Sequence, residues 1–540
     1  MAKLRASVRF PRDIALGAAL LLTACSSGSG APAGGGNNNT GGTPPPPPTG
    51  FAVFTSSRTI ANVYEPWIAS YDGADLRPFG AVLPDGGAVI DWGARLSADE
   101  RHLAVVTEGA GALHYAVLDL VTGTAVTLPF ADAPILAAFR PYFVFSPDGT
   151  RLLLTRLDYG LGKTKGYVMD ADGTNLLELP FGADHHSAGL WSPTSEYFVC
   201  AVQREAPLEN GFYLFRADGS TVLDLIPPIG EHRHASRKAW SADGSRLSFE
   251  VGATPVGGGD PFSQVWVYDI GTMVLAEASP ASLATRNHGL SAGGATVAWS
   301  RLDASGTRRD LYVGAAVGGG GTLIGLDSNY EIEWAPVGDH LAYRTFDAAT
   351  STIRLHASDS AGTTRRLDVQ AANGQSTEAM RWAPDGRWLA FSVRYPAGQS
   401  ALWVVDVEAP DPAVRLTDSM VYVDGRLPRW SPDGRWLYAF ETDALTQREE
   451  LHAWPTGDWA AMRSLGEAEP GSVRVLGGPS FAEPFDPTPD SRGVVWRRRA
   501  AGATQVDILY GRPDDPGNAR ILSSAPAVAG LGAVRQVFAR

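Results

Sequence analysis

Short apolar runs alternate with polar turn clusters from residue 51 to residue 540. One clear unit contains the apolar runs 388–393 and 401–407, and Pro384-Asp385-Gly386 precedes the first of them. Pro presets a negative φ, Asp bonds the backbone that follows it, and Gly accepts a positive φ, so this tripeptide predicts a tight hairpin turn. With an apolar approach before the turn and a short run at its end, the unit predicts four antiparallel strands.

The same turn recurs along the chain with a period of roughly 48 residues, a repeat length typical of propeller blades. A four-stranded sheet repeated around an axis closes into a ring that hides its edges. Residues 51–79 supply three strands and 533–539 a fourth, which complete one more blade when joined. The copies centre on Ser97, Ser146, Ser192, Ser241, Ser291, Ala335, Ala383, Ser431 and Thr488.

This pattern predicts an all-β fold, a β-propeller of four-stranded antiparallel blades over residues 51–540. About ten repeat units are present, which corresponds to eight to ten blades. The N-terminal and C-terminal strands are expected to close the ring together. One large ring and two smaller rings both fit the repeat, although no linker interrupts it.

The N-terminus carries the features of a secretory leader. Four basic residues precede the apolar run 14–22, which is too short to span a bilayer, and residues 1–24 therefore predict a signal peptide. Leu22-Thr23-Ala24-Cys25 resembles the bacterial lipobox, and this resemblance implies lipidation of Cys25. An ordinary signal peptide with a chance Cys is the alternative.

Residues 25–50 are rich in Gly, Asn and Pro, with five prolines from Pro44 to Pro48, and predict a tether and not a folded segment. Ser26 follows the lipobox, and by resemblance to the sorting rule of Gram-negative envelopes it implies the outer membrane. We expect an envelope lipoprotein that faces the periplasm or the cell exterior and contacts the membrane only through its lipid.

The chain is acidic, with a formal net charge of −13. Removal of the four basic residues and one acidic residue of the leader lowers this to about −16, and such a surface repels phosphate backbones. Nucleic acid is therefore excluded as a partner.

Disulfides cannot stabilise the ring, because Cys200 is the only Cys left once Cys25 is lipidated. Burial between blades must do so instead. The largest apolar contributions are expected from Trp191, Trp240, Trp334, Trp382 and Trp430.

The unit Trp430-Ser431-Pro432-Asp433-Gly434 and its copies resemble the TolB-type, WD40-like propeller repeat. The match is specific in the units at Ser146, Ser241, Ala383 and Ser431, and weak in those at Ser97, Ser291 and Thr488. In TolB a small α/β domain precedes the propeller, whereas here an anchor and tether stand in its place. The resemblance implies the fold and a role in envelope interactions, without TolB's own partners.

Polar residues cluster just before the inner strands, where the loops entering the blades should surround the mouth of the central channel. Imidazoles and carboxylates from neighbouring blades can converge on a divalent metal there. The candidate ligand or metal ring comprises His186, His234, His288, Glu331 and Glu378. His185, His232, Asp424 and Glu483 occupy similar positions. The alternative is that these side chains only face water.

Two short motifs suggest catalysis, but their positions indicate turns. Gly289-Leu290-Ser291-Ala292-Gly293 satisfies the nucleophile-elbow pattern of hydrolases, yet it falls at the turn of its repeat unit and precedes a strand. Gly160-Leu161-Gly162-Lys163-Thr164 lacks the first glycine of a phosphate loop and is interpreted as a hairpin loop.

We therefore expect a binding scaffold without catalysis whose partner is an envelope protein or polysaccharide. The alternative is a metal-dependent polysaccharide lyase, since oligogalacturonate lyases resemble this arrangement of propeller repeats with a His-rich metal site. Arg233, Arg237 and Lys238 would then neutralise uronate carboxylates. A third possibility is metal or solute binding without turnover. No cofactor is certain, and a divalent metal is the one candidate.

Overall fold

The computed structural model describes residues 51–56, 65–78, 82–83, 89–109, 112–130, 133–134, 142–158, 162–180, 185–186, 189–203, 210–229, 231–254, 256, 261–282, 285–303, 305–328, 331–368, 375–396, 400–417, 428–442, 449–467, 485–498, 505–526 and 534–539. All 42 secondary-structure elements in these ranges are β-strands. The described residues contain no helix that is long and apolar enough to cross a bilayer. The predicted signal peptide, tether and lipidated Cys25 lie outside the described residues and stay predictions.

The strands form ten antiparallel sheets, which we number as blades 1 to 10 in chain order. Within a blade the strands are called inner, second, third and outer, counted from the ring axis. The strands of blades 1 to 3 are β1 (Phe51–Ser56), β2 (Glu65–Ser70) and β3 (Leu76–Pro78); β4 (Val89–Leu96), β5 (His102–Gly109), β6 (Ala112–Asp119), β7 (Thr124–Thr127) and β8 (Ala133–Pro134); β9 (Tyr142–Phe145), β10 (Arg151–Asp158), β11 (Lys163–Asp170) and β12 (Leu177–Glu178).

In blade 4 the inner strand has two segments, which both pair with the second strand. The strands of blades 4 to 6 are β13 (His185–His186), β14 (Leu190–Trp191), β15 (Tyr197–Gln203), β16 (Asn210–Arg216) and β17 (Thr221–Asp224); β18 (Glu231–Trp240), β19 (Arg246–Thr254), β20 (Phe262–Asp269) and β21 (Val274–Glu277); β22 (Thr285–Leu290), β23 (Thr296–Leu302), β24 (Arg309–Ala315) and β25 (Thr322–Gly325).

The remaining blades repeat the same order. Their strands are β26 (Ile332–Trp334), β27 (Leu341–Asp347), β28 (Thr352–Ser358) and β29 (Thr364–Arg366); β30 (Ser376–Trp382), β31 (Trp388–Arg394), β32 (Ser400–Asp406) and β33 (Val414–Arg415); β34 (Arg429–Trp430), β35 (Trp436–Thr442), β36 (Glu449–Pro455) and β37 (Arg463–Glu467); β38 (Phe485–Pro487), β39 (Val494–Arg498), β40 (Gln505–Gly511) and β41 (Arg520–Pro526); and β42 (Val534–Ala539).

Blade 1 closes the ring as the sequence predicts. Its second, third and outer strands are β1, β2 and β3, and its inner strand is β42 from the other end of the chain. The two strands pair in antiparallel register, with Ala52 opposite Ala539 and Val53 opposite Phe538. The predicted joining of N-terminal and C-terminal strands is therefore confirmed.

Ten clusters of buried apolar side chains hold the ring together, and each lies between two neighbouring blades. Successive side chains of a strand point to opposite faces, so one strand contributes to two clusters. In β5, Leu103 and Val105 pack with blade 1, whereas Ala104 and Val106 pack with blade 3. The clusters run from blade to blade and return to blade 1, so the described residues form one ring of ten blades and not two rings.

Five tryptophans at the ends of inner strands add a hydrogen bond to this packing. Each indole N–H donates to a backbone carbonyl in the inner strand of the preceding blade, so a bulky apolar side chain is buried without leaving its donor unpaired. The predicted burial holds for Trp191, Trp382 and Trp430, whereas Trp240 and Trp334 are half-buried. The most fully buried tryptophans among the described residues are others: Trp299, Trp454 and Trp496. The bonds run from Trp191 to Val144 (3.0 Å), Trp240 to Leu190 (3.4 Å), Trp334 to Gly289 (2.9 Å), Trp382 to Glu333 (3.0 Å) and Trp430 to Arg381 (3.2 Å).

The recurring turns join inner and second strands and define what we call the turn face of the ring. In blade 9 the Ser431 hydroxyl donates to Asp433 at 2.7 Å and accepts the Trp436 N–H at 3.0 Å. Gly434 has a φ of 71°, as the predicted turn requires. The Asp433 N–H also donates to Ser491 in the next blade at 3.0 Å, so these turns also connect neighbouring blades.

The opposite face, which we call the loop face, carries the connections from second to third strands and from each outer strand to the next inner strand. On this face β33 ends at Arg415 and β34 begins at Arg429, and β37 ends at Glu467 and β38 begins at Phe485, so more residues separate these strands along the chain than separate strands joined by a turn. The two faces therefore differ in the length of their connections.

We predict that Trp382→Phe lowers the free energy of unfolding more than Trp299→Phe does. Both indoles are buried, but the Trp382 N–H donates to Glu333, whereas the Trp299 N–H has no hydrogen-bond partner. The difference should be about 1 kcal/mol, the net contribution of one hydrogen bond. Urea denaturation of the two variants and the parent measures it, and equal losses would contradict the role of the indole hydrogen bond.

Candidate functional site

The inner strand of blade 5 is bulged where the loop with the predicted histidines enters the blade. The pairing of β18 with β19 shifts register between Glu231 and His234 and again between Ser236 and Lys238. Arg237, inside the second shift, has a φ of 42°, a left-handed conformation that costs a non-glycine residue free energy. Because a bulged residue leaves the ladder, the Arg237 carbonyl can accept a hydrogen bond from blade 6.

His288 supplies that hydrogen bond. Its Nε2–H donates to the Arg237 carbonyl, and its Nδ1 is hydrogen-bonded to the Ser248 hydroxyl at 3.1 Å. Burial lowers the pKa of His288 to about 4, so the imidazole is neutral near pH 7. Both ring nitrogens are therefore used to join blades 5 and 6.

His234 lies on the same side of blade 5, over a glycine. His234 is opposite Gly252 in the ladder, and a Cβ on Gly252 would be 2.3 Å from the imidazole Cε1. Beside it, Glu250 is buried, and burial raises the pKa of its carboxyl group. The Glu250 carboxylate lies 3.8 Å from the Arg237 Nε. We call the group His234, Arg237, Ser248, Glu250 and His288 the blade 5–6 seam.

The three cations expected beside these histidines also contact the protein. Arg237 lies against Glu250, and Arg233 donates to the Pro227 carbonyl at 3.2 Å. Burial lowers the pKa of Lys238, whose ammonium group lies 6.0 Å from the centre of the Phe212 ring. The cationic side chains in and beside the seam are therefore engaged by contacts with other groups of the protein.

Glu331 and Glu378 lie elsewhere, at the contact between blades 7 and 8. Arg344 lies 3.7 Å from the Glu331 carboxylate and also donates to the Glu378 backbone carbonyl. The Glu378 carboxylate accepts from Arg394 and from Ser400, at 3.1 Å each. Both carboxylates are therefore engaged by arginine side chains.

The five predicted ring residues are only partly brought together. His234 and His288 share the blade 5–6 seam, and Glu331 and Glu378 share Arg344. His186 pairs with Val202 through the backbone, but its side chain lies outside the described atoms. Asp424 and Glu483 lie wholly outside the described residues. Among the described residues, no group of three or more His, Cys, Asp or Glu side chains could hold a metal ion. The metal ring stays a prediction.

Sequence reasoning missed a second group of charges on the inner strands. Glu333 and Arg381 directly precede Trp334 and Trp382, and the Arg381 Nη1 is 3.8 Å from Glu333 Oε2. That oxygen is buried without a hydrogen-bond partner, and burial raises the pKa of Glu333 to about 7. The available signal was their shared position just before the tryptophan.

The elbow-like Ser291 is part of a structural turn, as its position in the repeat indicates. It lies between β22 and β23 and is buried. Its hydroxyl accepts the Thr296 N–H at 3.1 Å, which is the bond that Ser431 makes in blade 9. A nucleophile elbow needs a helix after its serine, and a strand follows here.

No family model matches the chain, and no curated protein matches it. Among solved structures, the chain is similar to a eukaryotic initiation factor at 14% identity, over 75% of this chain and 93% of that one, with a TM-score of 0.47. It is similar to TolB from Acinetobacter baumannii at 21% identity, over 52% of this chain and 64% of that one, with a TM-score of 0.27.

An oligogalacturonate lyase from Vibrio parahaemolyticus is similar at 12% identity, over 67% of this chain and 97% of that one, with a TM-score of 0.35. TolB proteins are thus among the similar structures. The ring of ten antiparallel sheets, eight with four strands and two with an additional short strand, confirms the propeller fold expected of the repeat.

The low pKa of His288 predicts a loss of stability on acidification. The unfolded chain binds a proton at this imidazole near pH 6.5, whereas the folded chain binds it only near pH 4, so stability is present above pH 6.5 and is lost as pH falls from 6.5 to 4. Between pH 6.5 and pH 5 the loss should reach about 2 kcal/mol.

His288→Gln removes this titration, so its free energy of unfolding should fall less than that of the parent over the same interval. Urea denaturation at pH 6.5 and pH 5 provides the comparison, and Ser248→Ala controls for loss of the hydrogen bond without loss of the imidazole. Parallel pH profiles for the parent and His288→Gln would contradict the buried neutral imidazole.

Proposed function

We propose that this chain is a cell-envelope lipoprotein, anchored through Cys25, whose propeller is a binding scaffold without catalytic activity. The loop face contacts an envelope protein or polysaccharide, and the membrane is reached only through the lipid. The observation that carries the proposal is the difference between the two faces. Residues 431–435 form a complete turn on the turn face, whereas β37 ends at Glu467 on the loop face and the next strand, β38, begins there only at Phe485.

Connections between the strands of a rigid frame are the usual carriers of binding function. The turn face is unsuited to the same role, because its hydroxyl and carboxylate groups are used in the turns and in the bridges between blades, such as Asp148 N–H to Ser195 at 2.9 Å. The rigid ring would fix the ends of these connections, which reduces the conformational entropy lost on binding.

The groups that catalysis would need are engaged in the framework. His288 uses both ring nitrogens, and Glu378 accepts from Arg394 and Ser400. A lyase acting on uronates would also need an available cation near its base, but Arg237 lies against Glu250. These contacts favour binding over bond chemistry.

Photo-crosslinking from the two faces tests the proposal in intact cells. Val256 lies between β19 and β20 on the loop face and is 76% exposed, and Val337 lies in the blade 7 turn on the turn face and is 57% exposed. A photoreactive residue at Val256 should give a discrete adduct with an envelope component, and one at Val337 should give none.

The same label in a Cys25→Ser chain, which lacks the lipid acceptor, should give less of the adduct, because the scaffold is no longer held at the membrane. Adducts only from Val337, or none from either face, would contradict the assignment of the loop face. An adduct that is unchanged in Cys25→Ser would contradict the role of the anchor.

A second candidate function is metal or solute binding at the blade 5–6 seam, with lyase chemistry as its extension. The observation that favours it is that two of the predicted ligands, His234 and His288, lie in one seam beside the buried Glu250.

For the scaffold we expect no stoichiometric divalent metal in the detergent-extracted chain, purified without chelator and measured by elemental analysis. The variant His186→Ala, His234→Ala, His288→Ala provides the control, and it should match the parent. One metal ion per chain in the parent, absent from the variant, would overturn this expectation and favour the second candidate.

A further inference from the structure

A cavity of about 420 Å³ lies between the inner strands of blades 2, 3 and 4, away from the blade 5–6 seam. Arg95 of β4, Tyr142 and Phe145 of β9, and Leu190 and Trp191 of β14 are among its lining residues. Its volume is within the range of pockets that hold small molecules. The wall is mostly apolar, with one cationic side chain.

Arg95 differs from the inner-strand arginine Arg381 in that it has no carboxylate partner in the described part of the chain. Its Nη1 donates to the Ala94 carbonyl at 2.8 Å, and no described carboxylate forms an ion pair with it. Arg381 of the inner strand β30, by contrast, lies near Glu333. In an acidic chain of net charge −13, Arg95 thus retains guanidinium donors that can pair with a carboxylate from outside.

Tyr142 lies next to this guanidinium. The Arg95 Cζ is 5.9 Å from the centre of the Tyr142 ring, and Tyr142 is 45% exposed although it belongs to an inner strand. An exposed aromatic ring offers a flat surface to a planar or ring-shaped ligand. The contact with the ring also restrains the guanidinium beside the cavity.

The rest of the wall leaves few competing polar groups. The Trp191 indole N–H and the Val144 carbonyl are bonded to each other at 3.0 Å, and the Ser146 hydroxyl donates to Asp148 at 2.6 Å. A ligand would therefore meet one guanidinium, one phenol and apolar surface. A single cation suits a monocarboxylate better than a phosphate, which carries more charge and calls for more donors.

We propose that this cavity, the Arg95 pocket, binds a small organic monocarboxylate on a ring-shaped apolar body. The carboxylate pairs with Arg95, and the ring lies against Tyr142 and the apolar wall formed by Phe145 and Leu190. This site is independent of the loop-face contact, since its lining includes Leu96 and Ser146, at the ends of inner strands where the turns to the second strands begin, and it needs no macromolecular partner.

Calorimetric titration of the detergent-extracted full chain with phenylacetate, and with its uncharged amide phenylacetamide, tests the pocket. The parent should bind phenylacetate saturably and the amide at least about tenfold more weakly, because the ion pair between the carboxylate and the guanidinium is lost. Arg95→Gln should weaken phenylacetate binding by about tenfold or more, with little effect on the amide. Tyr142→Ala should weaken binding of both ligands.

Arg512→Gln is the matched control, since it removes the same charge from an exposed arginine paired with Asp514, and it should bind phenylacetate as the parent does. Urea midpoints of all variants check the fold, and Tyr142→Ala carries the test if Arg95→Gln is unstable. Absence of saturable binding to the parent, equal affinity for acid and amide, or equal weakening in Arg512→Gln would overturn the proposal.

Discussion

Packing of each blade against its neighbours is the interaction on which the whole structure depends. A single four-stranded sheet has two apolar faces and cannot bury either alone, so each blade is stable only between two others. The alternation of side chains in β5 divides its residues between two such contacts. Where an inner strand ends in tryptophan, the indole fills the contact and its N–H bonds across it. Positions of strands, turns and loops all follow from repeating this contact.

The fold could be predicted because its determinants are local and repeated. Pro-Asp-Gly and its variants specify a turn wherever they occur, and Gly434 has the positive φ that this turn needs. Repetition of one unit then gave the strand order, and the unpaired strands at the two ends gave the closure. The number of blades in one ring could be determined only from the structure. The degenerate repeat units at Ser97, Ser291 and Thr488 do not themselves distinguish one large ring from two small ones. The ten interfaces between blades make that distinction.

The candidate site was less predictable, because its partners are set by register and not by sequence spacing. The loop positions of His234 and His288 were evident, but the carbonyl that receives His288 is released by a bulge at Arg237, a non-glycine residue with a positive φ. No residue pattern in the sequence predicts that bulge. In the same way, Glu378 meets Arg394 and Ser400 through strand pairing. Arg95 and Tyr142 are adjacent only because blades 2 and 3 are.

The pairing of β1 with β42 has a consequence for how the molecule forms. Nine blades can assemble from segments that are close in the chain, but blade 1 needs its two ends to meet across nearly the whole sequence. Contacts between such distant segments are slow to form, since the closure entropy must be lost before any pairing compensates for it. Blade 1 is therefore expected to be the last to fold, and until then β1 presents an open strand edge to any other chain nearby. The β1–β42 pairing that closes the ring is also the point at which two copies could exchange strands.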